Sequence, residues 1–301
     1  HNLFTVMASV YDVTKPYMYA LLLNRSTPAD VLAACTDGEV VAIGGDGDAG
    51  KSTKWVVFKR STQVFNASYG VNFKNYILGI AVYNADIFNV TFNGLLTAFL
   101  HFNADYSVTP LQFNASQFAY TKLISLITPN VPELMFDYVS AFQTSTLSYV
   151  VLQSQQTNLN ISGANTWQGC SSLTSFTLPP NLTSLTISGT STWTNCSSLI
   201  SFTMPPNLTS LTISGATMWT NCSSLTSFTL PPNLTSLTIS GTNTWASCSS
   251  LTSFTMPPNL TSLTISGANT WSGCSSLTRI TLNPNWRLTA NLSSANALSH
   301  D

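Results

Sequence analysis

Charge is what this chain has least of. Its 301 residues carry 10 Lys and Arg and 11 Asp and Glu, so charged side chains are 7% of the total and the net charge is −1. An ordinary soluble domain has about a quarter. Between Asp137 and Arg279 there is no Asp, Glu, Lys or Arg at all. With no basic cluster, phosphate backbones have no electrostatic handle, and nucleic acid is excluded as an expected partner. No apolar run reaches the roughly 18 residues a spanning helix needs, so membrane insertion is not expected. Catalytic groupings are missing too. His1, His101 and His300 stand apart, and Glu133 and Asp137, four residues apart, fall in a stretch that does not read as helix. The expectation is a protein that is not an enzyme and has no catalytic residues. The chain starts at His1, from which processing or trimming of an N-terminus is expected.

What is there is a repeat. Trp167, Trp193, Trp219, Trp245 and Trp271 step by 26, as do Cys170, Cys196, Cys222, Cys248 and Cys274. The unit between them reads W-x-x-C-S-S-L-T-S-F-T-[LM]-P-P-N-L-T-S-L-T-I-S-G, with small departures such as Ile200. A fixed period in this range means a solenoid, whose units bury their apolar faces against one another. Two L-x-x-L-x-L stretches per unit predict two strands, with the apolar positions inward. Pro-Pro cannot sit inside a ladder, since neither residue donates an N–H, so it marks a corner. Asn181, Asn207, Asn233 and Asn259 follow it, and Ser-Gly supplies the second bend. Coils about 4.8 Å apart would bring the cysteines close, but in-register side chains lack disulfide geometry, so a ladder of buried free thiols is predicted. The tryptophans, next to them, are predicted to stack inward.

Weaker copies lie upstream, at 147–163, 123–136, 96–113 and 77–92. Counting them gives about nine coils and a rod roughly 40 Å long at about 4.8 Å per coil. The expected organisation is a small β cap or attachment domain over 1–74, degenerate coils over 75–166, five near-identical coils over 167–292 and a tail over 293–301. Within 1–74, strands are predicted at 3–11, 17–23, 39–43 and 55–59, and Cys35 is predicted to be a buried structural thiol. The C-terminal stretch with Trp286 and Arg287 is predicted to cover the far end.

The run Cys-Ser-Ser-Leu-Thr-Ser, with its preceding aromatic and following Pro-Asn turn, resembles the leucine-rich repeats of BspA-like bacterial surface proteins, also found in viruses that infect bacteria. The match is good over 167–282 and loose over 120–166. The resemblance agrees with an all-β fold, a leucine-rich-repeat-type right-handed β-solenoid of 26-residue coils; it does not cover residues 1–74, where the small β N-terminal domain is read from the strand-like stretches alone. It also implies recognition of protein or glycan on an exposed surface, extracellular or on a cell or virion. Two alternatives stand beside that reading: a structural subunit of a phage virion or extracellular filament, and an ice-binding protein. Expected partners are a host protein or glycan, or other subunits, a homo-oligomer included.

Several residues are candidates for chemistry. Gly45, Gly50, Lys51 and Ser52 satisfy the phosphate-loop pattern G-x-x-x-x-G-K-S. Asp46 and Asp48 would place negative charge where phosphates sit, and 54–59 reads as a returning strand, so a hairpin loop is expected. Asp46 and Asp48 could otherwise form a weak Ca²⁺ site. The candidate ligand-facing residues are hydroxyl columns. Thr174, Thr226 and Thr252 form one, interrupted by Ile200, and Thr177, Thr203, Thr229 and Thr255 form another. On the second strand, Thr186, Ser188, Thr212, Ser214, Thr238 and Ser240 form a T-x-S array. Strand preference alone would favour Thr at such places; a glycan- or protein-binding face and an ice-binding face are the functional readings. Asn-x-Ser/Thr occurs twelve times, many of them expected from composition alone and one of them copied by the repeat.

Overall fold

The computed structural model describes residues 3–33, 39–44, 54–64 and 73–281. The first elements are α1 (Leu3–Ser9), β1 (Tyr17–Leu23), α2 (Ala29–Ala33), β2 (Val40–Gly44), β3 (Lys54–Arg60), β4 (Ile77–Val82) and β5 (Phe99–Phe102). Next come β6 (Leu111–Gln112), β7 (Ser125–Ile127), β8 (Leu134–Met135), β9 (Tyr149–Val151), β10 (Asn158–Ile161), β11 (Ser175–Thr177) and β12 (Ser184–Ile187). The last are β13 (Ser201–Thr203), β14 (Ser210–Ile213), β15 (Ser227–Thr229), β16 (Ser236–Ile239), β17 (Ser253–Thr255), β18 (Ser262–Ile265) and β19 (Arg279–Thr281).

From β5 onward, odd and even strands form two columns, one strand of each per coil. Pairing is parallel and in register at the repeat spacing: Ser184 faces Ser210, Ser210 faces Ser236 and Ser236 faces Ser262. The result is a β-solenoid of about seven turns, fewer than the nine expected. The stretch 77–92 supplies β4 but no second strand, although Ile87 and Val90 are buried. At the other end, 282–301 lies outside the described residues.

At its N-terminal end the rod passes into a five-stranded sheet of order β2-β3-β1-β4-β5. β1 runs antiparallel to β4, while β5 runs parallel to it. The edge of the first column is thereby paired and not left open to association. The segment predicted as a strand at 3–11 is instead the helix α1. Leu3 and Met7, one helical turn apart, are its buried residues and pack over Met18, Ala20, Val57 and Ala81. The opposite face of the sheet joins the continuous core that runs through the coils.

Each regular coil turns at a glycine. Ser188 and Gly189 both donate their N–H to the Ile161 carbonyl of the coil before. A Cβ on Gly241 would lie 2.0 Å from the Gly215 carbonyl oxygen, so only glycine allows this approach. The arc that follows carries two left-handed residues. They lie two positions before and two after the aromatic: Asn165 and Gly169, Ser191 and Asn195, Thr217 and Asn221, Asn243 and Ser247, Asn269 and Gly273. Ser116 and Tyr120, then Ser140 and Thr144, hold the same places around Phe118 and Phe142. The degenerate coils therefore share the backbone of the regular ones.

Candidate functional site: the hydroxyl faces of the coils

The interior fixes how the outer face is presented. All five repeat tryptophans are buried, with adjacent rings nearly parallel and centroids 5.5, 5.2, 5.3 and 5.8 Å apart. Coil spacing exceeds ring thickness, so the indoles slip into an offset stack. Each repeat phenylalanine stands edge-on between two tryptophans; Phe202 lies 4.9 Å from Trp193 at 83° and 5.2 Å from Trp219 at 85°. Upstream, Phe142, Phe118 and Phe92 continue the tryptophan column. These rungs escaped a reading keyed to leucine spacing. Their signal was the aromatic step 92, 118, 142, 167.

The five repeat cysteines are buried and free, as expected. Each of the last four donates its S–H to the Trp carbonyl of the preceding coil at 3.1–3.3 Å, for example Cys222 to Trp193. Cys170 bonds Phe142 in the same way at 3.2 Å. Burial pushes the Cys170 thiol up to about 11 and Cys222 up to about 12. These two thiols are neutral at ordinary pH. Among the described residues, no group of three or more metal-ligating side chains converges.

The candidate hydroxyls fall on two separate faces. Thr174, Thr226 and Thr252 are exposed on the first column. Two of them are engaged structurally: Thr174 donates to the Ser148 carbonyl at 3.0 Å and Thr252 to that of Thr226 at 3.1 Å. Thr203, Thr229 and Thr255 are exposed and Thr177 is half-buried, each two residues from an outward serine of the same strand. On the second column Thr186, Thr212 and Thr238 are half-buried, while Ser188, Ser214 and Ser240 are exposed. The Pro-Pro corner divides these sets, so they do not form one site.

Two features lay outside the sequence reading. Thr183, Thr209, Thr235 and Thr261 form a further exposed column, each hydroxyl donating to the carbonyl one coil back at 3.1–3.3 Å. Its signal was the invariant Asn-Leu-Thr, read only as a turn. In the degenerate coils the outward positions of the first column turn apolar. Ile124, Ile127 and Tyr149 are exposed there by 55, 43 and 40%.

Gly45, Asp46, Asp48, Gly50, Lys51, Ser52 and Cys35 lie outside the described residues, as do Trp286 and Arg287. The flanks of the phosphate-loop match are described: β2 and β3 pair antiparallel, with Gly44 opposite Trp55. A phosphate loop leads from strand into helix, so this context disagrees with one. Glu133 and Asp137 are both exposed, and Asp137 accepts a hydrogen bond from Gln112 Nε2 at 2.8 Å.

Stacked two-strand coils with leucine-rich columns define a leucine-rich-repeat solenoid. The chain belongs to the BspA type leucine rich repeat region family, which matches in six copies over residues 86–214 and 186–295. No curated protein matches the chain. Two crystal structures are similar to it. A leucine-rich repeat protein from Bacteroides ovatus is 18% identical over 66% of this chain and 48% of its own, with a TM-score of 0.45. The T. pallidum leucine rich repeat protein is 17% identical over 66% of this chain and 83% of its own, with a TM-score of 0.33. The chain spans about half the length of the Bacteroides ovatus protein.

Proposed function

We propose that this protein is a non-enzymatic recognition module on an exterior surface, presenting a rigid hydroxyl face to a protein or glycan, with the N-terminal residues 1–74 attaching it. The observation that carries the reading is the unbroken second column. Of its five strands, β12, β14, β16 and β18 hold Ser and Thr in register from coil to coil, and β10 places Asn158 and Asn160 at the same positions, with no charged side chain between them. Such a face is pre-ordered, so a ligand meets hydroxyls whose conformational freedom is already spent. No helix among the described residues is long and apolar enough to cross a membrane. The test is binding of the purified chain to host-cell surfaces and to glycan and protein arrays. Glu at both Thr212 and Thr238 is expected to abolish saturable binding while leaving the circular dichroism spectrum unchanged. Undiminished binding by that double variant would sink the assignment to this face.

The charge-free surface supports a second reading, a subunit of a filament or virion, because an uncharged flank resists association weakly. Light scattering decides between the two: a stable monomer with saturable binding favours recognition, and concentration-dependent polymers favour assembly. Thermal hysteresis is the corresponding test of ice binding.

A further inference from the structure

The first strand column is broken. Its regular strands form two sheets, β7-β9-β11-β13 and β15-β17-β19, with no ladder between β13 and β15. The second column runs straight past this level, and Trp193 and Trp219 stay stacked at 5.2 Å and 2°. The coils therefore separate on one side only. Phe202 and Phe228 are tilted by 18°, against 1° for Phe176 and Phe202 and 6° for Phe228 and Phe254, the two pairs that flank the break across intact ladders. The opening is a cavity of about 360 Å³ lined by Ser201, Thr203, Ser227, Thr229 and prolines including Pro206, over a floor that includes Phe202, Met204 and Leu230.

One departure from the repeat marks the break. Thr174 and Thr252 tie their coils back by donating both N–H and hydroxyl to the preceding carbonyl. Ile200 stands in that column without a hydroxyl and 53% exposed, although its N–H still reaches the Thr174 carbonyl at 3.0 Å. The next residue of the column, Thr226, makes neither bond to Ile200.

We propose that this opening is a binding site for a neutral saccharide. Its size falls within the range of small-molecule pockets, about 300–1,000 Å³. An inserted peptide strand is ruled out by spacing. It would need its neighbours about 9.6 Å apart, twice the interstrand distance, and the second column holds these coils one spacing apart. A charged ligand would find no counter-ion, because no charged side chain lies between Asp137 and Arg279. A purely apolar ligand would bury four hydroxyls and the unpaired strand edges without partners, at a desolvation cost. A sugar matches both surfaces: its C–H faces meet Pro206 and the apolar floor, and its hydroxyls exchange hydrogen bonds with Ser201, Thr203, Ser227, Thr229 and the open edges. The site takes exterior recognition as its setting but lies on a different face from the second column.

The test is an array of neutral oligosaccharides, followed by saturation-transfer NMR with the disaccharides that bind. Ser201→Trp and Ser227→Trp fill the opening from its two sides. The expected result is saturable binding of one or more neutral sugars, weakened at least tenfold in both variants, with 3′-sialyllactose binding no better than its neutral parent. Absence of binding across the array, or unchanged affinity in both variants, overturns the site. Binding to host surfaces that survives both variants, while the sugar is lost, leaves the broader recognition reading standing.

Discussion

At the scale of the residue, most interior positions are fixed by what the coil above and below must receive. The five indole N–H groups are buried and make no hydrogen bond, so tryptophan is retained for its ring and not for its donor. Trp219→Ala should cost about 3–5 kcal/mol, the usual range for emptying an aromatic core site. Trp219→Phe should cost well under half of that, since Phe142 already fills the equivalent place upstream; chemical denaturation of the pair checks this. Thr217 has φ of 57°, a left-handed conformation costly for a β-branched side chain, whereas three other coils place Asn there. Thr217→Asn is expected to stabilise the fold by about 0.5–1 kcal/mol. The cysteines set a pH limit. Cys170 and Cys222 titrate in the folded chain at about 11 and about 12, above the ordinary 9.0. Their contribution is complete below pH 9. It is lost as pH rises from there through the folded values, because the unfolded chain ionises first. The melting temperature should fall across that window, and Cys222→Ala should flatten the fall.

At the scale of the element, the strands, corners and inward ladders were legible because each is written in one residue type at a constant step: Leu and Phe inward, Pro-Pro at one bend, Gly at the other. The left-handed positions were not legible, since Asn, Ser, Thr, Gly and Tyr all occupy them and only the backbone reveals the series. The helix α1 was misread because its β-favouring residues, such as Phe4 and Val6, hide the pairing of Leu3 with Met7 on one face. Ile200 was visible as an interruption, but the break in the ladder on its C-terminal side was not. That break is an absence of backbone pairing between β13 and β15, which composition does not show. The glycine bend yields a sharper expectation. Gly241→Ala would force a methyl onto the Gly215 carbonyl, and a loss of about 3 kcal/mol or more should appear in urea unfolding.

At the scale of the whole molecule, the chain is quasi-one-dimensional: each coil answers only to its neighbours. Removing residues 219–244 deletes one period and brings β13 against β17, whose partners are otherwise equivalent. The shortened chain should fold with the same signature by circular dichroism, melt a few degrees lower and shorten by about 4.8 Å in X-ray scattering. Loss of cooperative folding would show instead that the coils depend on one another beyond nearest neighbours. The rod's surface changes along its length, from the apolar Ile124, Ile127 and Tyr149 to the hydroxyl columns of the regular coils. A partner gripping both would be held in one orientation.

The tryptophan column has an optical consequence. Five indoles with neighbouring planes within 8° of parallel and centroids less than 6 Å apart lie close enough for their transitions to couple. Light absorbed at one rung is therefore shared along the column before it is emitted. The protein carries its own strain gauge: a local slip or twist between coils changes that coupling and would register in the near-ultraviolet spectrum without any added label.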